Sequence, residues 1–350
     1  MMFEFDHALD RVGLVDGKTQ QQLTYEQINN LAAPLQSSLP SQKILVFFFI
    51  HRDLPSILTY IGLMRLNHAV ALFDPNLQMD LKQRLVDTYR PGLIIDSLSS
   101  APWEDYEPHL LPTGSISHRV KHRDESSKLH PELKLLLSTS GTTGSPKLVR
   151  LSERNLVSNG KSIIESLAIS PEDCAITSLP IHYSYGLSVL HSHLLAGARV
   201  VITDESVVQR PFWDIFHQCR CTSFAGVPYT YELLDRMHFE TFPVPTLQTM
   251  TQAGGRLRQS LVLKFHKYMT EKGGRFFVMY GQTEATARIA YLPPSALPEK
   301  ACAIGVAIPK GSLTASPEGE LIYSGQNVML GYATAAEDLA KGDALKGILH

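Results

Sequence analysis

Five short runs carry almost no polar residue in their interiors: 44-ILVFFFI-50, 70-VALFD-74, 93-LIID-96, 199-RVVIT-203 and 275-RFFVMY-280. A strand with one wet face alternates apolar and polar residues, whereas a strand covered on both faces does not. These runs predict buried strands. Helical patterns lie between the early ones. In 53-DLPSILTYIGLMRLN-67, Ile57, Tyr60, Ile61 and Met64 recur at helical spacing, and 79-MDLKQRLVDTYR-90 is closed by Pro91 and Gly92. Strand–helix alternation reads as an α/β fold with mainly parallel, helix-covered sheets. The later segment 304-IGVAIPKGSLTASPEGELIYSG-325 is punctuated by Gly and Pro, and predicts a small β-barrel or antiparallel sheet. The polar, aperiodic stretch 113–132 is expected to cross the surface between subdomains. The expected subdomains are approximately 1–130, 131–275 and 276–350.

With 350 residues, 44% of them hydrophobic, the chain can bury a sizeable core. Its formal charge is −2 with no basic block, which argues against nucleic-acid and anionic-membrane partners. The longest apolar run is too short to cross a bilayer, so no membrane insertion is expected. The start, MMFEFDHALD, lacks the apolar run of a signal peptide. Four cysteines, Cys174, Cys219, Cys221 and Cys302, point to free buried thiols in a reducing compartment. A soluble cytoplasmic protein is expected. His191 and His193 form an H-x-H with no accompanying Cys/His cluster, and read as polar groups on a helix near a pocket.

The stretch 138-STSGTTGSPK-147 offers a core almost nothing to pack. It follows the apolar run 135-LLL-137 and precedes 148-LVRLSERNLVSNGKSIIESL-167, in which Ser152 is a candidate N-cap and Leu156, Ile163, Ile164 and Leu167 share a helical face. It therefore reads as a strand-to-helix connection. Gly141 and Gly144 allow positive φ and close approach of a ligand to the main chain. Bare N–H groups form an anion-binding concavity, hydroxyls add donors, and Lys147 adds a point charge for phosphate. The P-loop pattern G-x-x-x-x-G-K-[ST] is absent. An ordinary flexible loop is the alternative.

The run TSGTTGSPK resembles the phosphate-loop signature of the adenylate-forming superfamily, which includes acyl-CoA ligases, nonribosomal-peptide adenylation domains and firefly luciferase. Further elements resemble that family in order: 23-LTYEQI-28, 179-LPIHYSYGLSVLHSHLLAGARVV-201, 224-FAGVP-228, 253-AGGRL-257, 280-YGQTEAT-286 and 319-GELIYSGQNVMLGY-332. The resemblance implies a fold like the N-terminal domain of acyl-CoA ligases. It implies that Thr139, Ser140, Gly141, Thr142, Thr143, Gly144 and Lys147 hold the β- and γ-phosphates of ATP. Thr283 would contact the α-phosphate, Glu284 would bind Mg²⁺, and Lys147, Thr283 and Glu284 would be catalytic. Tyr280 would stack on adenine beside Gly254 and Gly255, with Gly281 and Gln282 completing the nucleotide site. On its own, Glu284 would read as a solvated acid at a helix start, and Tyr280 as core.

The implied reaction is attack of a carboxylate on the α-phosphorus of ATP, giving an acyl-adenylate and pyrophosphate. Transfer to a thiol would follow, from coenzyme A or the phosphopantetheine of an acyl carrier protein. The implied acid pocket holds Tyr183, Ser184, Tyr185, Gly186, Phe224 and Gly226. Members that activate α-amino acids place an aspartate where Ser184 stands, and 179-LPIHYSYGLSVL-190 contains no acid. An ammonium without a counter-charge is costly to bury, so a non-amino acid, fatty or aryl, is expected. Tyr183 stands where many acid ligases show His. The chain stops at 347-GILH-350, before the T-G-D and lysine-bearing lid common in relatives. The resemblance therefore implies a large N-terminal domain without its lid, which binds nucleotide but turns over poorly. The rival reading is a non-catalytic nucleotide- or acyl-binding module. A serine hydrolase is disfavoured because no G-x-S-x-G elbow occurs.

Overall fold

A computed structural model describes residues 2–5, 9–97, 103, 105–121, 128–139 and 147–350. Two large mixed sheets organise them. In one sheet the strands run in the order Gly331–Ala333, Leu148–Ser152, Leu133–Ser138, Ala69–Phe73, Leu45–Phe49, Leu93–Ile95, Ile116–Val120, Tyr106–Leu110. Its central pairings are parallel and its flanks antiparallel. The second sheet has a parallel centre built from Arg275–Tyr280, Thr249–Gln252, Ser223–Gly226, Cys174–Ile176, Arg199–Ile202 and Val12–Asp16.

Apolar side chains on both faces of these strands explain the layering. Phe47 and Phe49 point to the cluster holding Leu85, Val86 and Tyr89 of helix Met79–Tyr89. Their neighbours Val46 and Phe48 point to a central cluster with Ile57, Tyr60 and Ile61 of helix Leu54–Arg65 and Leu187, Leu190 and Leu194 of helix Ser184–Leu195. On the outer face of the second sheet, Phe224, Met250 and Phe276 meet Phe212, Trp213, Tyr231 and Phe265. Local signals place the helices. Asp53 accepts from the Ser56 N–H and caps helix Leu54–Arg65. Helix Met79–Tyr89 ends where Arg90 turns left-handed at φ 47°.

Buried histidines couple this core to pH. His191, 3% exposed, shares a 2.7 Å hydrogen bond with the Tyr60 hydroxyl, and burial pushes its pKa from 6.5 down to about 3. The unfolded chain binds this proton below its ordinary pKa while the folded chain stays neutral. The histidine's stabilising contribution is therefore present above pH 6.5 and lost as pH falls towards about 3. Its share of the slope is about 1.4 kcal/mol per pH unit. His191→Asn should flatten the stability–pH curve in that window by about one proton. An unchanged slope in chemical denaturation at several pH values would contradict this.

Several sequence expectations need correction. The residues after the phosphate-loop stretch do not enter a helix directly. Leu148–Ser152 is a buried strand paired antiparallel with Leu133–Ser138, Ser138 facing Leu148, and helix Glu153–Leu167 starts only after it. The stretch therefore joins two strands of a hairpin. Ser152 is the N-cap as expected, in a capping box with Asn155. Of the two forms expected for the tail, the antiparallel sheet is the one present, with no closed barrel among the described residues. Ser312–Ala315, Leu321–Ser324 and Ile348–Leu349 make an open antiparallel sheet. Within 113–132, Ile116–Val120 is a strand rather than a surface crossing. Val12–Asp16 joins the second sheet and Gly331–Ala333 the first, because main-chain pairing reaches across the sequence. Cys174, Cys219 and Cys221 are buried free thiols, whereas Cys302 is exposed. No helix among the described residues is long and apolar enough to cross a membrane.

Candidate active site

The carboxyl ends of parallel strands are where open α/β sheets gather ligand-binding loops. Three motifs meet this condition: the stretch after Ser138, Gly281–Glu284 after Tyr280, and the glycines after Gln252. Ser140, Gly141, Thr142, Thr143 and Gly144 lie outside the described residues, so their expected role in holding phosphate stays with the sequence. The two ends of that stretch are described. Thr139 is half-buried at the strand end, and Lys147 is exposed.

Lys147 reaches the second motif through one side chain. Its Nζ lies 3.4 Å from the centroid of the Tyr332 ring, and the Tyr332 hydroxyl donates to Glu284 Oε1 at 2.7 Å. Burial, and secondarily this bond to a carboxylate, raises the Tyr332 pKa, so the phenol stays protonated as a donor. Glu284 is half-buried and makes no ion pair among the described residues. A half-buried carboxylate with no cationic partner is a hard oxygen donor of the kind Mg²⁺ takes.

The turn that presents Glu284 is tight. Gly281 has no room for a side chain: a Cβ there would sit 1.9 Å from the Ala287 carbonyl oxygen. The Ala287 N–H donates to Ala285 O at 2.7 Å, closing a γ-turn around Thr286, a β-branched residue at φ 67°, ψ −57°. That conformation is rare and strained, by about 1–3 kcal/mol. Asn327, 2% exposed, holds the turn. Its amide donates to Ala285 O and Arg288 O, its main-chain oxygen accepts from Thr286 Oγ1, and its Oδ1 accepts from Tyr323. Glu284 is tied in as well, its carbonyl accepting from the Met329 N–H at 2.8 Å.

Thr283 meets the acid-pocket helix directly, its Oγ1 lying 3.1 Å from Ser184 Oγ in the first turn of helix Ser184–Leu195. Gly186, two residues on, is required by packing, since a Cβ would fall 2.2 Å from Pro180 O. Tyr183 closes on the third motif. Gly254 stands at φ 80°, and a Cβ on it would fall 2.4 Å from the Tyr183 hydroxyl. Gly255 is exposed, and its carbonyl accepts from Gln252 Nε2 at 2.8 Å. Tyr280, 37% exposed, and half-buried Gln282 flank Gly281. An exposed ring beside bare glycine main chain can accept a flat base.

Phe224 lines the cavity beside helix Ser184–Leu195, and both it and Gly226 also meet core side chains. The Phe224 ring packs 5.5 Å from Trp213 and 6.4 Å from Tyr231, in the aromatic core on the outer face of its sheet. A Cβ on Gly226 would meet Tyr231 and Thr230 at 3.0–3.2 Å, so this glycine makes room for helix Pro228–Arg236. Tyr185 is buried, its hydroxyl 2.8 Å from both Thr251 O and Thr251 Oγ1, and burial pushes its pKa up to about 12. Tyr332, Asn327 and Arg288 were not singled out from the sequence. The terminal Tyr of 319-GELIYSGQNVMLGY-332 was the available signal for the first.

A family model described as AMP-binding enzyme matches residues 5–333. The 2-succinylbenzoate–CoA ligase of Bacillus cereus is 27% identical over 266 residues, covering 71% of this chain and 53% of the relative. This chain thus spans about half the length of the curated relatives it matches. Among solved structures, the o-succinylbenzoate coenzyme A synthetase of Bacillus subtilis in complex with AMP superposes at TM-score 0.76 and 20% identity, covering 97% of this chain and 72% of that one. The N-terminal domain of FACL13 from Mycobacterium tuberculosis superposes at TM-score 0.79 and 16% identity, covering 97% and 91%. These structures share the fold of two large helix-covered sheets. By the match of its motifs and of the family model over most of its length, this chain belongs to the AMP-binding enzymes.

Proposed function

We propose that this site binds ATP with Mg²⁺ and activates a non-amino carboxylic acid, fatty or aryl, as its acyl-adenylate. One oxygen of the acid's carboxylate forms a new bond to the α-phosphorus. The bond from that phosphorus to the bridging oxygen breaks, and pyrophosphate leaves with the electron pair. No protein nucleophile is required, so the work of the chain is positioning and charge neutralisation. Lys147 and the preceding loop hold the outer phosphates. Ser184 steadies Thr283 against the α-phosphate, and Tyr332 fixes the rotamer of Glu284. Mg²⁺, when bound at Glu284, supplies positive charge to the phosphate oxygens. Tyr280, with Gly254 and Gly255, receives the adenine.

The observation that carries this reading is the line from Lys147 through Tyr332 to Glu284, which joins the end of one motif to the acid of another. The non-amino preference rests on Ser184 and on the lack of any acid in 179-LPIHYSYGLSVL-190. A thiol, from coenzyme A or a carrier's phosphopantetheine, is the proposed acceptor. The relative named as a CoA ligase favours coenzyme A. Four free thiols fit the reducing cytoplasm.

Calorimetric titration with a non-hydrolysable ATP analogue tests the nucleotide reading. Binding should strengthen with Mg²⁺, and Lys147→Ala should weaken it about tenfold. An affinity indifferent to Lys147 would count against it. Hydroxamate formation across a panel of acids then identifies the substrate.

A further inference from the structure

Arg288 is a buried charge with no ion-pair partner among the described residues. It follows the Glu284 turn, is 2% exposed, and lines a narrow cavity of about 20 Å³ between helix Ser184–Leu195 and the second sheet. Its Nε has no hydrogen-bond partner. Its guanidinium lies 4.7 Å from the Tyr185 ring centroid, and one nitrogen is 3.4 Å from Ser188 Oγ, at the outer edge of hydrogen-bonding distance. No carboxylate among the described residues pairs with it. Asp173, the acid on the cavity wall, is engaged by Ser170 and Thr222 instead. Burial pulls the Arg288 pKa down, yet an arginine keeps its proton in proteins.

Magnitudes show that the site is incomplete. Desolvating a cation costs several kcal/mol. A buried cation–π contact returns about 2 kcal/mol, and a long neutral hydrogen bond adds about 1 kcal/mol at most. Resting on the nucleotide-site reading above, we propose that the acid activated here carries a second carboxylate, which Arg288 receives.

Distance along one helix sets the length of that acid. Ser184, beside Thr283, marks where the reacting carboxylate meets the α-phosphate. Ser188, beside Arg288, is one turn further, about 6 Å along the helix axis. A four- to six-carbon dicarboxylic acid spans that interval. The same cation repels a substrate ammonium.

The test uses matched pairs of acids with this 350-residue chain: succinate against butyrate, glutarate against pentanoate, adipate against hexanoate. ATP-dependent hydroxamate formation gives kcat/KM, and thermal stabilisation of the ATP-analogue-saturated protein gives binding independently of turnover. At least one dicarboxylate should exceed its monocarboxylate partner by about a hundredfold, the cost of leaving one member of a buried charge pair alone. Arg288→Met should reverse that ratio while leaving affinity for the ATP analogue unchanged, and Arg288→Lys should keep part of it. A merely structural arginine would lower both acids together. Equal use of both acids, an unchanged ratio in Arg288→Met, or a dicarboxylate that neither binds nor reacts would each overturn the inference while ATP binding stands. Loss of ATP-analogue binding in the unmodified chain would overturn both readings.

Discussion

Glu284→Gln is expected to lower adenylate formation by a factor of about 100–1,000, the usual effect of removing one electrostatic contact made to the reacting group. Gln preserves the shape of the side chain, and its oxygen can still accept from Tyr332, whose hydroxyl lies 2.7 Å from Glu284 Oε1. The variant loses the negative charge and little else. Its thermal midpoint should therefore stay close to that of the parent. The Mg²⁺ concentration giving half-maximal nucleotide affinity should rise about tenfold or more, because a neutral amide is a poor ligand for a hard dication. Calorimetry with and without Mg²⁺ separates metal loss from misfolding. An unchanged Mg²⁺ requirement would remove Glu284 from the metal site.

Gly281→Ala is expected to destabilise the protein by about 3 kcal/mol, at the upper end of what overpacking usually costs. The atoms that an added Cβ would meet are all main chain: Ala287 O at 1.9 Å, Ala287 C at 2.8 Å and Arg288 Cα at 2.9 Å. No side chain can swing away to relieve the contact. The turn is already strained at Thr286, φ 67°, and pinned by Asn327, so it has little freedom to yield. Glu284 and Arg288, both carried by this turn, should be displaced together, and nucleotide affinity should fall with stability. Gly342→Ala is the control, since its Cβ would meet only His130 Nε2 at 3.6 Å and should change stability by less than about 0.5 kcal/mol. Equal denaturation midpoints for the two variants would contradict the steric argument.

The local signals in the chain were legible for local reasons. Runs such as 44-ILVFFFI-50 and 275-RFFVMY-280 can be buried only as strands covered on both faces, and both are strands here. Asp53 and Ser152 announced helix starts through side-chain chemistry that acts within one turn. The motif 280-YGQTEAT-286 stands out through its resemblance to a family signature, and it begins at the end of a strand. The helix pattern after Lys147 was read too early, because Leu148–Ser152 satisfies its main chain against a strand rather than within itself. The packing of Phe224 on Trp213 and Tyr231, and the room Gly226 leaves for Tyr231, depend on strand pleat and on a helix that the local sequence does not show.

Composition and pattern settle the α/β class, most of the strands, and the motifs that gather at strand ends, because each depends on neighbours a few residues away. Which motif faces which, and what lies between, depends on chain ends brought together across long separations. Tyr332 touches Lys147 and Glu284 only because Gly331–Ala333 pairs with Leu148–Ser152. Arg288 becomes a buried cation without a counter-charge only when helix Ser184–Leu195 closes over it, since solvation and pairing are properties of the packed interior and of no single segment.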